Sequence, residues 1–551
     1  MKNILIILLS LFSFHGFSQS IDWINRVMPN EGEHEEANSV ILDSEDNVYI
    51  SYTTKCSPTF CYVNKYTTDG DYLWTINFDA DVLLGYSNTS VYIGDLQIDS
   101  NDQIYVPISF IGDVSLNGTD TISDADCYYS SLLVKINTDG DIENYIDFGQ
   151  NCESGESMSI GGIEINEEND VFIFMYTKHD TINIVNNEFW PEGSAQGYRV
   201  FLYKLNDQGE ILNSKCFEGI DNTNYMISLN GRAVYENDIY LSGHFRENLI
   251  LGNDTLINNE IYDGILIKLN ENLDIEWYQR SESSLLANNS YLYVDDESIY
   301  YSVKYRESVS LYGSSFFSET PTNSILVKID HDNNLEEITE FDDGIFIKHT
   351  AKDEDGNTYH TVYFVGEPTL GGETYSSNYS INELNAGNSI IYRVNINNEI
   401  DWSLLFKSEG FDVVKDIIIK DKKLYATGFY HGASGGSALT INGEEVLPES
   451  FWADAYVMKY DIDIEIEESP NTALEEQLST KFHIHPNPAH DLLNLKTTDL
   501  AEKDLIEIFD ITGKRVLQDF ILDEKQLNIS HLPAGVYTVK INGHKKKLVI
   551  K

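Results

Sequence analysis

Apolar and polar residues alternate along most of this 551-residue chain in short runs, which are separated by acidic or glycine-containing turns. A period of two predicts β-strands with one buried face, whereas helical periodicity is nearly absent. One pattern, an apolar run with a central basic residue and a following turn, occurs seven times at intervals of about 60–70 residues. Such a fixed period indicates a repeat architecture. The recurring basic residues are Lys65, Lys135, Lys204, Lys268, Lys328, Arg393 and Lys459.

Each repeat is predicted to contain four β-strands. The first two form a hairpin with a tight acidic turn, as in segment 40–51. The third and fourth strands are the recurring pattern itself, joined at pairs such as Asp139-Gly140. These pairs tolerate positive φ and suit two-residue hairpin turns. Four short antiparallel strands per repeat are typical of a propeller blade.

The last repeat lacks its fourth strand, and the N-terminal region offers a replacement. Segment 20–32 aligns with 399–410, which places Trp23 over Trp402. We therefore expect residues 21–28 to complete the last blade, so that the first and last blades meet and two exposed sheet edges disappear. The sequence predicts an all-β fold with a seven-bladed β-propeller over residues 20–462, closed by an N-terminal strand.

Long insertions are predicted at one end of this propeller, because the connections between second and third strands and between successive blades share that end. Examples are 112–126, 183–197, 249–263, 308–322, 368–387 and 433–454. Long loops on a rigid scaffold often carry binding sites. Exposed aromatic rings there could stack on sugars or peptide side chains, or could anchor their own loops. The weak ligand-binding candidates are Trp190, Phe316, Phe317, Tyr375, Tyr379 and Trp452.

The N-terminus and the charge bear on compartment and partners. Residues 1–18 combine Lys2, an apolar run and small residues, as in a cleaved secretory signal peptide. No other apolar run reaches the roughly 18 residues that a transmembrane helix needs. The net charge is −54, and all of the excess precedes residue 474. A surface this acidic repels nucleic acid, so nucleic acid is not an expected partner.

The five cysteines lie within the first 216 residues. Cys127 and Cys152 are placed symmetrically about the Asp139-Gly140 turn, which would bring them opposite each other in a hairpin and predicts a disulfide. Cys56 and Cys61 could close the short loop around Pro58. Cys216 is left over as a free thiol. An exported protein favours such bonds.

The C-terminal part changes composition after an acidic linker at 463–480. Residues 481–551 alternate apolar positions with Gly-containing turns, which predicts a small Ig-like β-sandwich. This tail resembles the type A C-terminal sorting domain of the type IX secretion system of Bacteroidota. The resemblance implies secretion to the outer cell surface with the type IX machinery as partner. The matching positions are Pro486, Asn487, Pro488, Asp510, Gly513, Lys514, Leu532, Gly535, Tyr537 and Lys551.

The repeats themselves are similar to the SBBP-type bacterial β-propeller repeats, a resemblance that covers residues 21–462 and implies fold more than activity. A search for catalytic, metal-binding and phosphate-binding motifs finds none, so we assign no catalytic residue, no metal and no cofactor. His244, His349, His360 and His431 are interpreted as structural.

Two hypotheses about function follow. The first is a non-catalytic binding or adhesion module for a glycan or protein ligand. The alternative is a propeller hydrolase or lyase that degrades extracellular polysaccharide with carboxylates near its channel.

Overall fold

A computed structural model gives the fold of the chain. The residues that it describes are 21–27, 34–55, 59–81, 90–124, 129–149, 157–177, 182–184, 187–189, 199–217, 227–246, 248–258, 261–318, 322–341, 344–377, 387–432, 436–462, 482–485, 489–490, 492–497, 504–509, 514–521, 524–533, 535–541 and 544–551. Their regular structure consists of β-strands, and they contain no helix. The prediction of an all-β fold is therefore confirmed. The predicted signal peptide and acidic linker lie outside these residues.

The repeat region begins with one strand, β1 (Ile21–Arg26), and continues with groups of antiparallel strands. Group 1 contains β2 (Glu35–Leu42), β3 (Val48–Thr54), β4 (Phe60–Tyr66) and β5 (Tyr72–Asp81). Group 2 contains β6 (Ser90–Ile93), β7 (Gln97–Ile98), β8 (Ile104–Leu116), β9 (Asp120–Asp124), β10 (Ser130–Ile136) and β11 (Ile142–Asp147). Group 3 contains β12 (Met158–Ile165), β13 (Val171–Thr177), β14 (Ile182–Ile184), β15 (Asn187–Phe189), β16 (Arg199–Leu205) and β17 (Ile211–Phe217).

The same arrangement continues toward the C-terminus. Group 4 contains β18 (Ile227–Tyr235), β19 (Asp238–Phe245), β20 (Asn248–Leu251), β21 (Asp254–Ile257), β22 (Asp263–Leu269) and β23 (Ile275–Ser283). Group 5 contains β24 (Leu286–Val294), β25 (Ile299–Arg306), β26 (Ser308–Leu311), β27 (Ser314–Phe317), β28 (Asn323–Ile329) and β29 (Leu335–Glu340). Group 6 contains β30 (Ile345–Lys352), β31 (Thr358–Phe364), β32 (Thr369–Leu370), β33 (Glu373–Thr374), β34 (Asn388–Val394) and β35 (Ile400–Lys407). Group 7 contains β36 (Asp412–Lys420), β37 (Lys423–His431), β38 (Ser437–Ile441), β39 (Glu444–Ser450) and β40 (Ala453–Asp461).

Four strands in each group pair in sequence order, as in β12-β13-β16-β17 and β24-β25-β28-β29. In group 7 the fourth place is taken by β1, which pairs with β40. The register is informative, because Trp23 stands opposite Lys459 just as Trp74 stands opposite Lys65 in group 1. The N-terminal strand thus occupies the position of a fourth strand, and the arrangement is propeller-like.

Neighbouring groups are joined by a repeated contact between a tryptophan and a turn. Trp74 Nε1 of group 1 donates to the carbonyl of Thr138 in group 2 at 3.2 Å, and Lys65 Nζ donates to the same oxygen at 2.9 Å. The indole lies over Gly140, where a Cβ would stand 3.1 Å from the ring. Since Gly140 also has φ +90°, the glycine provides both the turn and the space for the ring. We call this arrangement the junction contact.

The recurring basic residue has a second role within its own group. Lys65 Nζ lies 3.4 Å from Asp43 Oδ2 and 5.0 Å from the centre of the Tyr49 ring. Asp43 also accepts backbone hydrogen bonds from Glu45 and Asn47, which form the tight turn between β2 and β3. The short acidic turns are therefore stabilised by hydrogen bonds from their own backbone N–H groups to an acidic side chain of the turn.

Several insertions fold back along the sheets instead of standing free at one end. The hairpin β26-β27 pairs with β23 of the preceding group, and β38-β39 pairs with β35. The second half of β8 likewise pairs with β5. These pairings cover the outer edge strands of groups 1, 4 and 6, which prevents pairing with other chains.

The C-terminal unit, Ile464–Lys551, is separate from the unit Met1–Asp463 by its contacts. Its strands are β41 (Phe482–His485), β42 (Leu492–Thr497), β43 (Asp504–Phe509), β44 (Arg515–Ile521), β45 (Glu524–Asn528), β46 (Gly535–Ile541) and β47 (His544–Ile550). They form a three-stranded sheet, β41-β42-β45, and a four-stranded sheet, β44-β43-β46-β47. Both sheets contribute to one apolar core that includes Leu493, Ile508 and Leu548.

Candidate functional site

The first strands of the groups surround a central opening. They contact one another in succession, β2 with β7, β7 with β12, β12 with β18, β18 with β24, β24 with β30, β30 with β36, and β36 with β2. In six groups the first strand carries a β-bulge at the same place, and in group 2 Asp95 lies in the gap between β6 and β7. Bulges redirect side chains and are frequent at functional sites. We call the residues at these places the bulge ring: Asn38, Asp95, Gly161, Asn230, Ser290, Lys348 and Lys415.

An arginine next to the bulge ring links three groups. Arg232 Nη2 lies 3.2 Å from Asp95 Oδ2 of group 2, and Arg232 Nε lies 4.0 Å from Glu164 Oε1 of group 3. The guanidinium passes directly over Gly162, where a Cβ would stand 2.1 Å from Cζ. Only a glycine leaves room for this close approach. Arg232 therefore holds two carboxyl groups near one another.

One of the two carboxyl groups has a raised pKa. Burial raises the pKa of Glu164 to about 8, with Arg232 acting in the opposite direction and Asp95 and Asp416 adding to the rise. Glu164 nevertheless keeps 19% of its side chain accessible. Asp95 is 55% exposed and stands closer to the arginine. A carboxyl group with a raised pKa beside a second carboxyl group is an arrangement that acid–base catalysis can use.

His349 and Asp416 connect groups 6, 7 and 1. His349 Nε2 lies 3.1 Å from Asp416 Oδ1, and the backbone N–H of Val40 donates to Asp416 Oδ2 at 2.9 Å. Burial raises the pKa of Asp416, while His349 and the Val40 hydrogen bond lower it. Because Val40 belongs to the first group and Asp416 to the last, this carboxylate joins the two ends of the repeat series.

Two members of the bulge ring, Lys348 of group 6 and Lys415 of group 7, lie near a third lysine, Lys304 of group 5. Each ammonium group lies over an aromatic ring: Lys304 over Phe346 at 4.8 Å, Lys348 over Tyr363 at 5.9 Å and Lys415 over Phe429 at 5.5 Å. Phe346 and Tyr363 pack together, with Val413 against them. Desolvation, together with the charges of Lys304 and Lys415, lowers the pKa of Lys348 to about 8, although part of this side chain is exposed to solvent. We call Lys304, Lys348 and Lys415 the lysine triad.

The aromatic residues predicted from the insertions are spread over three different groups. Phe317 ends β27 and is 77% exposed, whereas Phe316 packs against the core of group 5. The Tyr375 hydroxyl is hydrogen-bonded to Ser403 Oγ at 2.9 Å and packs in group 6. Trp452, 52% exposed, precedes β40. The insertions therefore do not place these four residues on one common sheet, and Trp190 and Tyr379 lie outside the described residues.

The prediction of a Cys56–Cys61 disulfide is wrong, because Cys61 is a free thiol. Its side chain points into the core between β4 and β6, where Sγ lies 3.3 Å from the Val91 carbonyl oxygen. Strand alternation turns Cys61 inward, away from the loop. Cys216 is partly buried and packs against the core of group 3. Cys56, Cys127 and Cys152 lie outside the described residues, so the Cys127–Cys152 disulfide stays a prediction.

The sorting-domain positions that the structure describes serve the fold of the tail. Tyr537 is buried, and its hydroxyl donates to the Pro533 carbonyl at 2.8 Å. Lys551 N donates to the Ala489 carbonyl at 2.9 Å. Gly535 begins β46 and Lys514 directly precedes β44. The remaining motif positions, Pro486, Asn487, Pro488, Asp510 and Gly513, lie outside the described residues.

Sequence patterns missed the residues around the opening. The Gly161-Gly162 pair inside a strand pattern signals a close approach of another group, which here is Arg232. Lys348 and Lys415 stand in first strands, and no motif in the sequence singles them out. Among the described residues, no group of three or more His, Cys, Asp or Glu is arranged to hold a metal ion. No helix in the described part of the chain is long and apolar enough to cross a membrane.

Comparison with known proteins identifies the tail. Residues 483–551 match the family described as the secretion system C-terminal sorting domain. The chain therefore carries a type IX sorting domain that directs it to the outer cell surface or the extracellular space. This agrees with the expected export route and with the type IX machinery as partner. No curated protein matches the chain significantly.

Solved structures are similar only at low identity. The phage phi92 endosialidase is 10% identical, with 86% of this chain and 72% of that chain covered and a TM-score of 0.39. A protein of unknown function from Dyadobacter fermentans is 9% identical, with 80% and 99% covered and a TM-score of 0.35. A protein of unknown function from Bacteroides caccae is 13% identical, with 45% and 82% covered and a TM-score of 0.20. None of these similarities supports an argument about function.

Proposed function

We propose that this chain is an exported surface protein whose repeat region is a seven-bladed β-propeller that binds an acidic extracellular glycan without cleaving it. Seven blades are supported by the closed succession of first strands and by the Trp23–Lys459 register, which matches that of Trp74 and Lys65. The described strands of the tail support an Ig-like sandwich. The proposed domains are a signal peptide at 1–18, the propeller at 20–462, a linker at 463–480 and the sorting domain at 481–551. Similarity to SBBP repeats and an origin in Bacteroidota belong to this proposal.

The observation that carries the binding role is the lysine triad. In the described part of the chain, no carboxylate lies within ion-pair distance of Lys304, Lys348 or Lys415. Three neighbouring ammonium groups repel one another, and a bound anion would relieve that repulsion. Such a cluster is unusual in a chain of net charge −54, where acidic partners are abundant.

The overall negative charge does not prevent such binding. At physiological salt, interactions between exposed charges are screened beyond about 8 Å. A carboxylate or sulfate group that has entered the opening therefore interacts mainly with the lysine triad. The aromatic rings below the ammonium groups, Phe346, Tyr363 and Phe429, are buried and support the three lysine side chains. An acidic glycan supplies the negative charge that the lysine triad lacks, whereas a neutral glycan does not.

A glycan array that includes uronic-acid and sulfated polysaccharides tests the proposal. We expect the purified chain to bind acidic glycans, and Lys348→Met together with Lys415→Met to weaken binding at least about tenfold, since charge-assisted hydrogen bonds contribute about 1.5–3 kcal/mol each. Lys420→Met is the matched control, because Lys420 lies at the end of β36, in the tight turn to β37. Binding of neutral glycans alone, or equal binding by both variants, would contradict the proposal.

A second candidate, a polysaccharide-degrading enzyme, is favoured by one observation. Glu164, with its pKa raised to about 8, lies near Asp95 on a shared arginine, and this is a suitable pair for acid–base cleavage. The test is release of reducing ends or unsaturated products from each glycan that binds. Product release that Glu164→Gln abolishes, with binding retained, would establish the enzyme. No release over extended incubation supports the binding protein.

A further inference from the structure

A cavity of about 540 Å³ lies between groups 2 and 3, outside the central opening. Its walls come from β8, β10 and β11 on one side and from the turn between β16 and β17 on the other. The residues that line the cavity include Tyr105, Lys135, Asn144, Ile146, Asp207 and Gly209. All of them belong to the described residues.

Other junctions show what occupies the corresponding place. At the junction of groups 1 and 2 it is the indole of Trp74, and at that of groups 7 and 1 it is the indole of Trp23. Each indole lies over the glycine of the next turn, Gly140 or Gly70. Trp277 makes the same kind of hydrogen bond at the junction of groups 4 and 5, to the carbonyl of His331 at 3.1 Å.

In group 2 the tryptophan position holds an asparagine. Asn144 stands opposite Lys135, in the register that Trp74 has to Lys65. The next turn still carries the glycine, Gly209, with φ +81°. The junction between groups 2 and 3 therefore combines a short polar side chain with a glycine turn, and Ile146 lies over that glycine, where a Cβ would stand 2.8 Å from Ile146 Cδ1. The cavity lies beside Ile146, between Asn144 and the turn.

Two other junctions without tryptophan fill the space differently. Asn213 Nδ2 donates to the Asn272 carbonyl at 2.7 Å, and Leu273 replaces the turn glycine with a side chain that is 2% exposed. At the junction of groups 5 and 6, Asn398 Nδ2 donates to Glu337 Oε1 at 3.2 Å. Among the seven tryptophan positions, Asn144 is the one that faces a glycine without an indole.

The cavity also keeps the other partners of an indole. Tyr105 corresponds to Tyr49, whose ring meets Trp74 edge to face at 5.8 Å. The backbone of Asp207 corresponds to that of Thr138, whose carbonyl accepts the Trp74 N–H, because Gly209 N donates to Asn206 O just as Gly140 N donates to Asn137 O. Ile146 provides an apolar wall beside Gly209. An aromatic face, an apolar wall and a carbonyl acceptor are thus present together.

We propose that this cavity is a binding site for an indole-bearing ligand, with the ring against Tyr105 and its N–H donated to the Asp207 carbonyl. Planar aromatic groups in a preformed site bury large apolar area at small entropic cost. The indole N–H gives specificity, because a bound ligand that lacks it covers the Asp207 carbonyl without donating to it. The site lies outside the central opening and is independent of glycan binding.

The test is titration of the purified chain with N-acetyl-tryptophanamide and with free indole, followed by calorimetry. We expect saturable binding of one equivalent, and about fivefold weaker binding of the 1-methylindole counterparts, which lack only the N–H donor. Binding of N-acetyl-tryptophanamide but not of indole would identify a tryptophan residue of a polypeptide as the ligand, and the reverse result would identify a small heterocycle. Either result supports the site.

Asn144→Trp provides the decisive variant, because it supplies the indole from the chain itself. We expect it to abolish binding of both probes and to raise the thermal unfolding temperature by a few degrees. Leu212→Trp, at an exposed position of β17 that does not line the cavity, is the control and should leave binding intact. The proposal is overturned if neither probe binds up to ~5 mM, or if Asn144→Trp binds them as the unaltered chain does. A variant that misfolds is recognised by circular dichroism, in which case Gly209→Leu, which copies Leu273 of the following turn, replaces it.

Discussion

Trp23 Nε1 donates a hydrogen bond to the carbonyl oxygen of Thr68 over 3.0 Å, across the boundary between the last and the first group of strands. Lys459 Nζ donates to the same oxygen at 3.1 Å. Trp74 Nε1 and Lys65 Nζ likewise both donate to the carbonyl oxygen of Thr138, at the boundary between groups 1 and 2. The contact that joins the N-terminal strand to group 1 is therefore the same as the one that joins consecutive groups.

The first prediction concerns this contact. Trp23→Ala should lower the free energy of unfolding by about 2–3 kcal/mol, because it removes a large half-buried ring and leaves a cavity. Trp74→Ala at the equivalent internal junction should cost a similar amount. Denaturant titration of both variants checks the expectation. A negligible cost for Trp23→Ala beside a large cost for Trp74→Ala would mean that the first strand contributes little to closure.

The second prediction concerns a buried carboxyl group in group 7. Burial raises the pKa of Asp412 to about 6, against hydrogen bonds from Ser408 and Asn388 that lower it. The native state therefore binds this proton more tightly than the unfolded state, and stability falls as the pH rises from about 4 through 6. Asp412→Asn should remove this pH-dependent loss of stability. Measured against the unaltered chain, the unfolding free energy of the variant should therefore rise by about 2 kcal/mol between pH 4 and pH 8. Denaturation midpoints at both pH values measure it.

A control for this prediction has a pKa shift of opposite direction. Hydrogen bonds from Asn334 lower the pKa of Asp330, which lies in an exposed turn. Asp330→Asn should therefore show no gain in stability at pH 8. An equal gain in both variants would indicate a general effect of net charge rather than burial of Asp412.

The third prediction concerns the pH dependence of acidic-glycan binding. Lys348 must be protonated to attract an anion, and its pKa in the free chain is lowered to about 8. The groups around it are Lys304, Lys415, His349 and Asp416. Affinity should fall up to about tenfold between pH 7 and 9. Lys348→Met should flatten the profile, and a profile that the substitution leaves unchanged would assign the pH dependence to another group.

The fourth prediction concerns the space occupied by Arg232. Gly162→Ala should destabilise the chain by about 2 kcal/mol, because the added Cβ meets the guanidinium. The same substitution in an Arg232→Ala background should cost clearly less, since the clash is gone. A double-mutant cycle on unfolding free energies measures the coupling. Additive costs would mean that Gly162 is required for another reason.

The fifth prediction concerns export. A chain that ends before residue 483 lacks the segment matched by the sorting family and should accumulate inside the outer membrane of a bacterium with a type IX system. Immunoblots of periplasmic, surface and medium fractions measure it. Cys61→Ala in the full chain is a suitable control, since it alters only a buried thiol. Truncated protein in the medium at the level of the full chain would contradict the assignment.

The alternation of apolar and polar residues predicted the strands well, because the same pattern occurs in each of the repeats and each copy supports the same assignment. The alignment of Trp23 with Trp402 was sufficient to predict where β1 pairs, since a strand register follows from matching one side chain and the alternation around it. The recurring basic residue also has the same kind of partner in several repeats, a nearby carboxylate, as Lys204 has Asp170 at 3.0 Å. These features depend on residues that are close in sequence and recur from repeat to repeat, so the sequence alone is enough to predict them.

Contacts between groups could not be read in this way. Nothing near Arg232 in the sequence indicates Asp95, which lies 137 residues earlier and two groups away. The insertions looked like loops at one end, yet β26 and β38 pair with the preceding group, because an unpaired outer edge offers hydrogen bonds that no free loop supplies. Cys61 was assigned by loop proximity, whereas the side on which its strand is buried decides its surroundings.

The pairing of β1 with β40 has a consequence for the order of folding. Arg26 and Asp454, which form an ion pair at this boundary, are separated by 428 residues. At synthesis rates of about 5–20 residues per second, the first strand waits on the order of half a minute before its partner exists. Because β40 is the last strand of the repeat region, the β1–β40 pair is the last pair of that region whose two strands have both been synthesised. The segment that directs export is synthesised only after this pair has become possible.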